Sequence, residues 1–124
     1  MSSPTFLKVI PILRIFDVAK AREFYVDYFG CTVDWEHRFD DNAPLYMQVS
    51  RAGLVLHLSE HYGDGSPGAT VYVEMRGAAE LHQELSAKQY RYLRPGLGCE
   101  EDGGKCLELL DPFGNRLRLS EPAA

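Results

Sequence analysis

Apolar and polar residues alternate from residue 7 to residue 16. Val9, Pro11, Leu13 and Ile15 fall on one side and Ile10, Ile12 and Arg14 on the other, the period of a β-strand. Pro11 marks that strand as an edge or a bulge, because proline has no N–H to give a ladder. Asp17 then reads as a helix N-cap. Val18, Ala21, Tyr25 and Tyr28 recur at helical spacing, leaving Lys20, Glu23 and Asp27 for solvent, and Gly30 stands where a helix end favours a left-handed residue. Alternation resumes over residues 32–39, with Val33, Trp35, His37 and Phe39 opposed to Asp34, Glu36 and Arg38. Residues 40–44 carry turn chemistry, and strands are expected over 45–50 and 54–60, joined through Arg51, Ala52 and Gly53. The Gly- and Pro-bearing stretch 62–68 reads as an internal linker.

The second half repeats this order. A strand is expected over residues 70–75 and a helix over 78–89, with Leu81 and Leu85 turned inward. Residues 90–93 lead into an acidic loop over 95–104. A hairpin of 105–110 and 116–121 closes through Asp111-Pro112-Phe113-Gly114-Asn115, the residue preferences of a type I turn. Leu56-His57-Leu58-Ser59-Glu60 and Leu117-Arg118-Leu119-Ser120-Glu121 agree at four of five positions at an offset of 61. The chain therefore reads as an α+β protein, two tandem βαβββ modules (about residues 6–61 and 69–121) within a single domain over 1–124.

Composition narrows the function classes. With 124 residues, 45% hydrophobic and 25% charged, the chain has the material for a core without disulfides or a structural metal. Its formal charge of −5 argues against nucleic-acid binding, which needs a concentrated positive field. No apolar run approaches the roughly 18 residues of a membrane span, and the first residues show neither the basic nor the apolar part of a secretory signal. Cys31, Cys99 and Cys106 form no CxxC pair, so a cytoplasmic location with no membrane association is expected.

Strand parity sorts the remaining side chains. Leu45, Met47 and Val49, Leu54, Leu56 and Leu58, Val71, Val73 and Met75, and Leu117 and Leu119 belong to the side covered by the helices. The opposite side collects Arg14, Tyr46, Gln48, His57, Tyr72, Glu74 and Arg118, with Trp35 and Phe39 as candidate aromatic neighbours. Such a face is either the solvated side of a half-covered sheet or the wall of a ligand groove. The mixture of aromatic, apolar and oppositely charged groups has the character of a groove. Arg14 and Arg118 either clamp a carboxylate or phosphate or pair internally with Glu74. His57 is either a hydrogen-bonded, half-buried side chain or an acid–base group with Glu74. No Gly-x-Ser-x-Gly elbow surrounds Ser59 or Ser120, and Gly63 to Gly68 lacks the Gly-Lys-Ser/Thr end of a P-loop.

The string from Val9 to Tyr25, followed by Phe29-Gly30 and later by Asp111-Pro-Phe-Gly-Asn, resembles the vicinal oxygen chelate superfamily, in particular its glyoxalase/bleomycin-resistance branch. The resemblance implies sheets curled into a groove and a homodimer in which each groove is completed by the second subunit. Metal-using members place a ligand at four strand positions, which fall here on Ile10, His57, Thr70 and Arg118. Only His57 offers a usual donor, so the resemblance is to the branch without a metal site, and no cofactor is expected. The expected function is metal-independent binding of a small organic ligand, such as an antibiotic held in sequestration. Trp35, Phe39, Tyr46 and Tyr72 would stack on its rings, and Arg14, Gln48, His57, Glu74 and Arg118 would orient its polar groups. The alternative is a lyase, isomerase or dioxygenase acting on a small anionic substrate, through a displaced metal site or through His57 without metal.

Overall fold

The computed structural model describes residues 3–99 and 101–123. Residue 100, inside the loop expected over 95–104, lies outside the described residues, as do 1, 2 and 124. Module one contributes β1 (Ile12–Arg14), α1 (Val18–Arg22), β2 (Thr32–His37), β3 (Tyr46–Arg51) and β4 (Leu54–Ser59). Module two contributes β5 (Thr70–Glu74), α2 (Ala78–Ala87), β6 (Gly98–Cys99), β7 (Lys105–Leu110) and β8 (Arg116–Glu121). The strands form two four-stranded sheets, ordered β1-β4-β3-β2 and β5-β8-β7-β6. In each, the first strand lies parallel to the last and the hairpins are antiparallel. The expected two-module α+β architecture is thus present, with the same strand order in both halves.

The inward set named from parity lies in the core or packs against it, with Leu54, Val71, Val73 and Met75 only partly buried. Leu13, Met47, Leu56, Leu58, Leu107, Leu117 and Leu119 are at most 2% exposed and belong to one apolar cluster shared by both modules. Paired rows explain why: Leu13 sits opposite Leu58 and Leu58 opposite Met47, while Val73 sits opposite Leu119 and Leu119 opposite Leu107. Each such row removes apolar area from water on one side of its sheet.

Three local departures matter. First, α1 does not run on as an α-helix; Glu23–Tyr28 is a π-helical segment, and the Phe29 N–H reaches the Phe24 carbonyl. The wider turn brings Phe24, Tyr25, Tyr28 and Phe29 inward together, where an α-helical period picks out only Tyr25 and Tyr28. Asp17 caps the start through the Lys20 N–H, and Gly30, at φ +84°, follows the end, as the sequence indicates. Second, the strand expected over residues 7–16 is regular only at Ile12–Arg14, and Phe6, Leu7 and Val9 stand exposed ahead of it. Third, β2 carries a bulge between Val33 and Trp35.

The modules hold each other reciprocally. Arg51, at the β3–β4 turn, donates to Glu84 of α2 through both terminal nitrogens (2.9 and 2.7 Å) and to the Phe29 carbonyl that ends the first helix. Tyr25 of the first helix donates to Asp111 in the β7–β8 turn at 2.6 Å, and both residues are buried. Lys88, at the end of α2, adds bonds to the carbonyls of Asp27 and Tyr28.

Candidate functional site

The outward face of the first sheet is built row by row. Ile12 faces His57, His57 faces Gln48 and Gln48 faces Trp35. Strict alternation would set Trp35 on the side of Val33; the bulge separates them. Val33 keeps its place opposite core residue Val49, and Trp35 passes to the open face opposite Gln48. There the indole lies nearly parallel to the Tyr46 ring (5.9 Å between centroids, 10° between planes) and edge-on to His57 at 5.3 Å.

Hydrogen bonds tie this cluster together. The Tyr46 hydroxyl lies 2.6 Å from His57 Nδ1, and His57 Nε2 lies 2.9 Å from Gln48 Oε1. Gln48 Nε2 and the Ser50 hydroxyl each donate to Asp34 at 3.0 Å. Partial burial lowers the His57 pKa from its ordinary value of 6.5, favouring the neutral ring. Burial and then the charge of Asp64 raise the Tyr46 pKa. The donors from Gln48 and Ser50 hold the Asp34 carboxyl below its usual range. Alternation already sets Ser50 beside Tyr46 and Gln48 and sets Asp34 on the other face from Val33, so both were within reach of the sequence reading, which passed over them.

Phe39 borders the cluster, 79% exposed, edge-on to His37 and His61. Arg14 shares the sheet but stands on edge strand β1, its guanidinium 4.6 Å from the centre of the Phe16 ring. The other three expected residues lie on the second sheet: Tyr72 opposite Arg118, and Glu74 opposite Ser120. The internal pairing expected with Glu74 is not the one observed. Arg118 lies 3.7 Å from Glu108 across the β7–β8 hairpin, and Arg116 lies 2.9 Å from the same carboxylate. These pairs are about half exposed, so each contributes roughly 0–1 kcal/mol. The hydrogen bonds, ion pairs and ring contacts described above link Trp35, Tyr46, Gln48 and His57, and none of them joins this set to Tyr72, Glu74 or Arg118.

The metal positions implied by the resemblance do not present a donor set for a divalent cation. Ile10 has no donor, Arg118 is a cation beside Glu108, and both His57 nitrogens already have partners. Among the described residues there is no group of three or more His, Cys, Asp or Glu side chains able to hold an ion.

A cavity of about 700 Å³ lies elsewhere. It opens between the β3–β4 turn, the end of β5 and the start of α2, with Arg51, Leu54, Met75, Leu81 and Glu84 in its wall. Of the expected site residues only Glu74 reaches it. A second cavity of about 310 Å³ lies against the β7–β8 turn, with Lys20, Tyr90 and Tyr92 in its wall.

Known structures share this architecture. A bleomycin resistance determinant encoded on the transposon Tn5 is 21% identical, with 96% of this chain and 100% of that one covered at a TM-score of 0.72. The bleomycin-binding protein of bleomycin-producing Streptomyces verticillus, seen with copper(II)-bleomycin, is 24% identical over 98% of this chain and 100% of that one, at 0.69. An antibiotic-binding protein from a Streptomyces species is 18% identical over 97% and 100%, also at 0.69. Among curated proteins none matches closely enough to count as a relative. Residues 2–124 match the family described as glyoxalase superfamily protein, and the chain belongs to that family.

Proposed function

We propose that the chain is a metal-independent binding protein for a small organic ligand, of the antibiotic-sequestering kind, acting as a cytoplasmic homodimer without a cofactor. The observation that carries this reading is the open-face cluster of Trp35, Tyr46, His57 and Gln48, two near-parallel rings beside a short line of polar groups. Ligand sites are built of such apolar walls with a few placed polar atoms. Tyr46 and Gln48 hold both His57 nitrogens from within the chain, which supports a role in shaping the binding face. Structural neighbours named for bleomycin or antibiotic binding support an antibiotic as the ligand.

In the homodimer, Arg14, Phe39 and the cluster of one subunit meet the partner's Tyr72, the partner's Glu74 and the partner's Arg118 across the groove. Phe6 and Val9, both 92% exposed, and Leu7 at 90%, support a second copy as the surface that covers them. No helix among the described residues is long and apolar enough to cross a membrane. Cys31 is buried and Cys99 exposed, neither of them in a disulfide, which supports a reducing compartment.

Isothermal calorimetry against bleomycin tests the reading. Heat saturating at one ligand per chain is expected, together with raised tolerance of expressing cells. No heat and unchanged susceptibility overturn sequestration. Stoichiometric zinc, nickel, iron or manganese in protein purified without chelator overturns metal independence.

A further inference from the structure

The hydrogen-bond chain on the first sheet has a direction, and elementary donor–acceptor chemistry sets it from one end. Asp34 is a carboxylate and can only accept, so the Gln48 atom facing it at 3.0 Å must be the amide nitrogen. The Gln48 oxygen is thereby turned to His57 Nε2, at 2.9 Å, and can only accept from it. Nε2 therefore carries the proton of the neutral ring. Nδ1 is left as an acceptor, and the Tyr46 hydroxyl 2.6 Å away must be the donor. With its proton committed to His57, the Tyr46 oxygen has only lone pairs to offer a bound molecule. Asp34, after accepting from Gln48 and Ser50, likewise has only lone pairs left.

We infer that His57 is a positioning residue for specificity: Gln48 and Asp34 fix its Nε2–H tautomer, this holds the Tyr46 oxygen as an acceptor, and the site selects planar aromatic ligands that bring N–H donors, cationic ones above all. The inference rests on the binding role proposed above and names the ligand chemistry of that same site. An acceptor-only ligand, such as an aromatic carboxylate, would place lone pairs against those of Tyr46 and Asp34 and leave them unpaired.

Two measurements test this. In ¹⁵N-histidine-labelled protein, a two-bond proton–nitrogen correlation spectrum, assigned by the signals missing from His57→Gln, is expected to show His57 protonated at Nε2 alone. A Nδ1–H ring or an exchanging mixture overturns the inference. Gln48→Met removes the acceptor and is expected to release the ring into a tautomer mixture; retention of pure Nε2–H overturns the relay.

The second measurement uses Trp35, the only tryptophan of the chain, whose emission reports this site directly. Benzamidinium and benzoate share a flat ring and a three-atom head, one offering only donors and the other only acceptors. At high ionic strength, where the net charge of −5 is screened, benzamidinium is expected to bind about tenfold more tightly than benzoate, the yield of one charge-assisted hydrogen bond. Tyr46→Phe keeps the stacked ring and is expected to cut that ratio about threefold or more. Equal affinities, an inverted order, or an unchanged ratio in Tyr46→Phe overturn the inference alone. Silence of Trp35 toward both probes overturns the binding role and the inference with it.

Discussion

At the scale of single residues, the buried contact between Tyr25 and Asp111 concentrates the most consequence. Asp111 is 4% exposed and accepts from the Phe113 and Asn115 backbone N–H groups and the Asn115 amide as well as from Tyr25. Four donors compensate a carboxylate taken out of water; three do so less well. Tyr25→Phe keeps the ring and deletes one donor, so a loss of about 1–3 kcal/mol is expected. Urea unfolding checks it: the midpoint falls while the slope stays constant, since the surface exposed on unfolding is unchanged. The Tyr25 pKa is raised well above its usual value of 10.0, by burial first and by Asp111 next, so the hydroxyl remains a donor throughout neutral pH. Of this contact the sequence showed only the ends: Tyr25 as an inward helical position and Asp111 as a turn residue. Their meeting across 86 residues depends on packing that no local pattern carries.

Elements were legible wherever one period governed them and obscured wherever two competed. The hairpins of both modules have the register that alternation gives. Trp35 crossed to the face opposite Val33 because one bulged residue resets the parity of everything after it. The first helix kept its cap and its terminal glycine but hid its π-helical turn, since its inward aromatics fit a 3.6-residue period only in part. Helix α2 ends at Ala87, two residues short of the expected 89. Its tie to the β3–β4 turn predicts a pH response. The hydrogen bonds from Arg51 hold the Glu84 carboxyl below its ordinary 4.5, so the folded state releases this proton more readily than the unfolded chain does. The resulting stability is fully present above about pH 4.5 and is lost as pH falls through the depressed value. With both partners partly exposed, about 0.5–1 kcal/mol is expected, discounted for solvent screening. Glu84→Gln therefore has a thermal midpoint below the parent at pH 7, and the difference shrinks as the pH approaches 3 in a series of melts.

At the scale of the whole molecule, the repeat made the architecture readable from the chain alone, while the joining of the site residues was not readable. Parity names a face but not which faces meet, and the expected residues divide between the two sheets. A second copy reunites them in the proposed dimer, and the exposed segment before β1 gives the test. Replacing Phe6, Leu7 and Val9 together by Ser is expected to weaken self-association at least about a hundredfold in sedimentation velocity, as the loss of three buried apolar side chains requires. An unchanged dimer would place the interface elsewhere. The reciprocal grip of turn on helix has its own consequence for how such a chain arises. Each half reaches into the helix of the other: Arg51 bonds Glu84 of α2, and Asp111 accepts from Tyr25 of the first helix. Two separate halves would have to meet before these bonds could form; one continuous chain turns that encounter from a matter of concentration into one of covalent certainty.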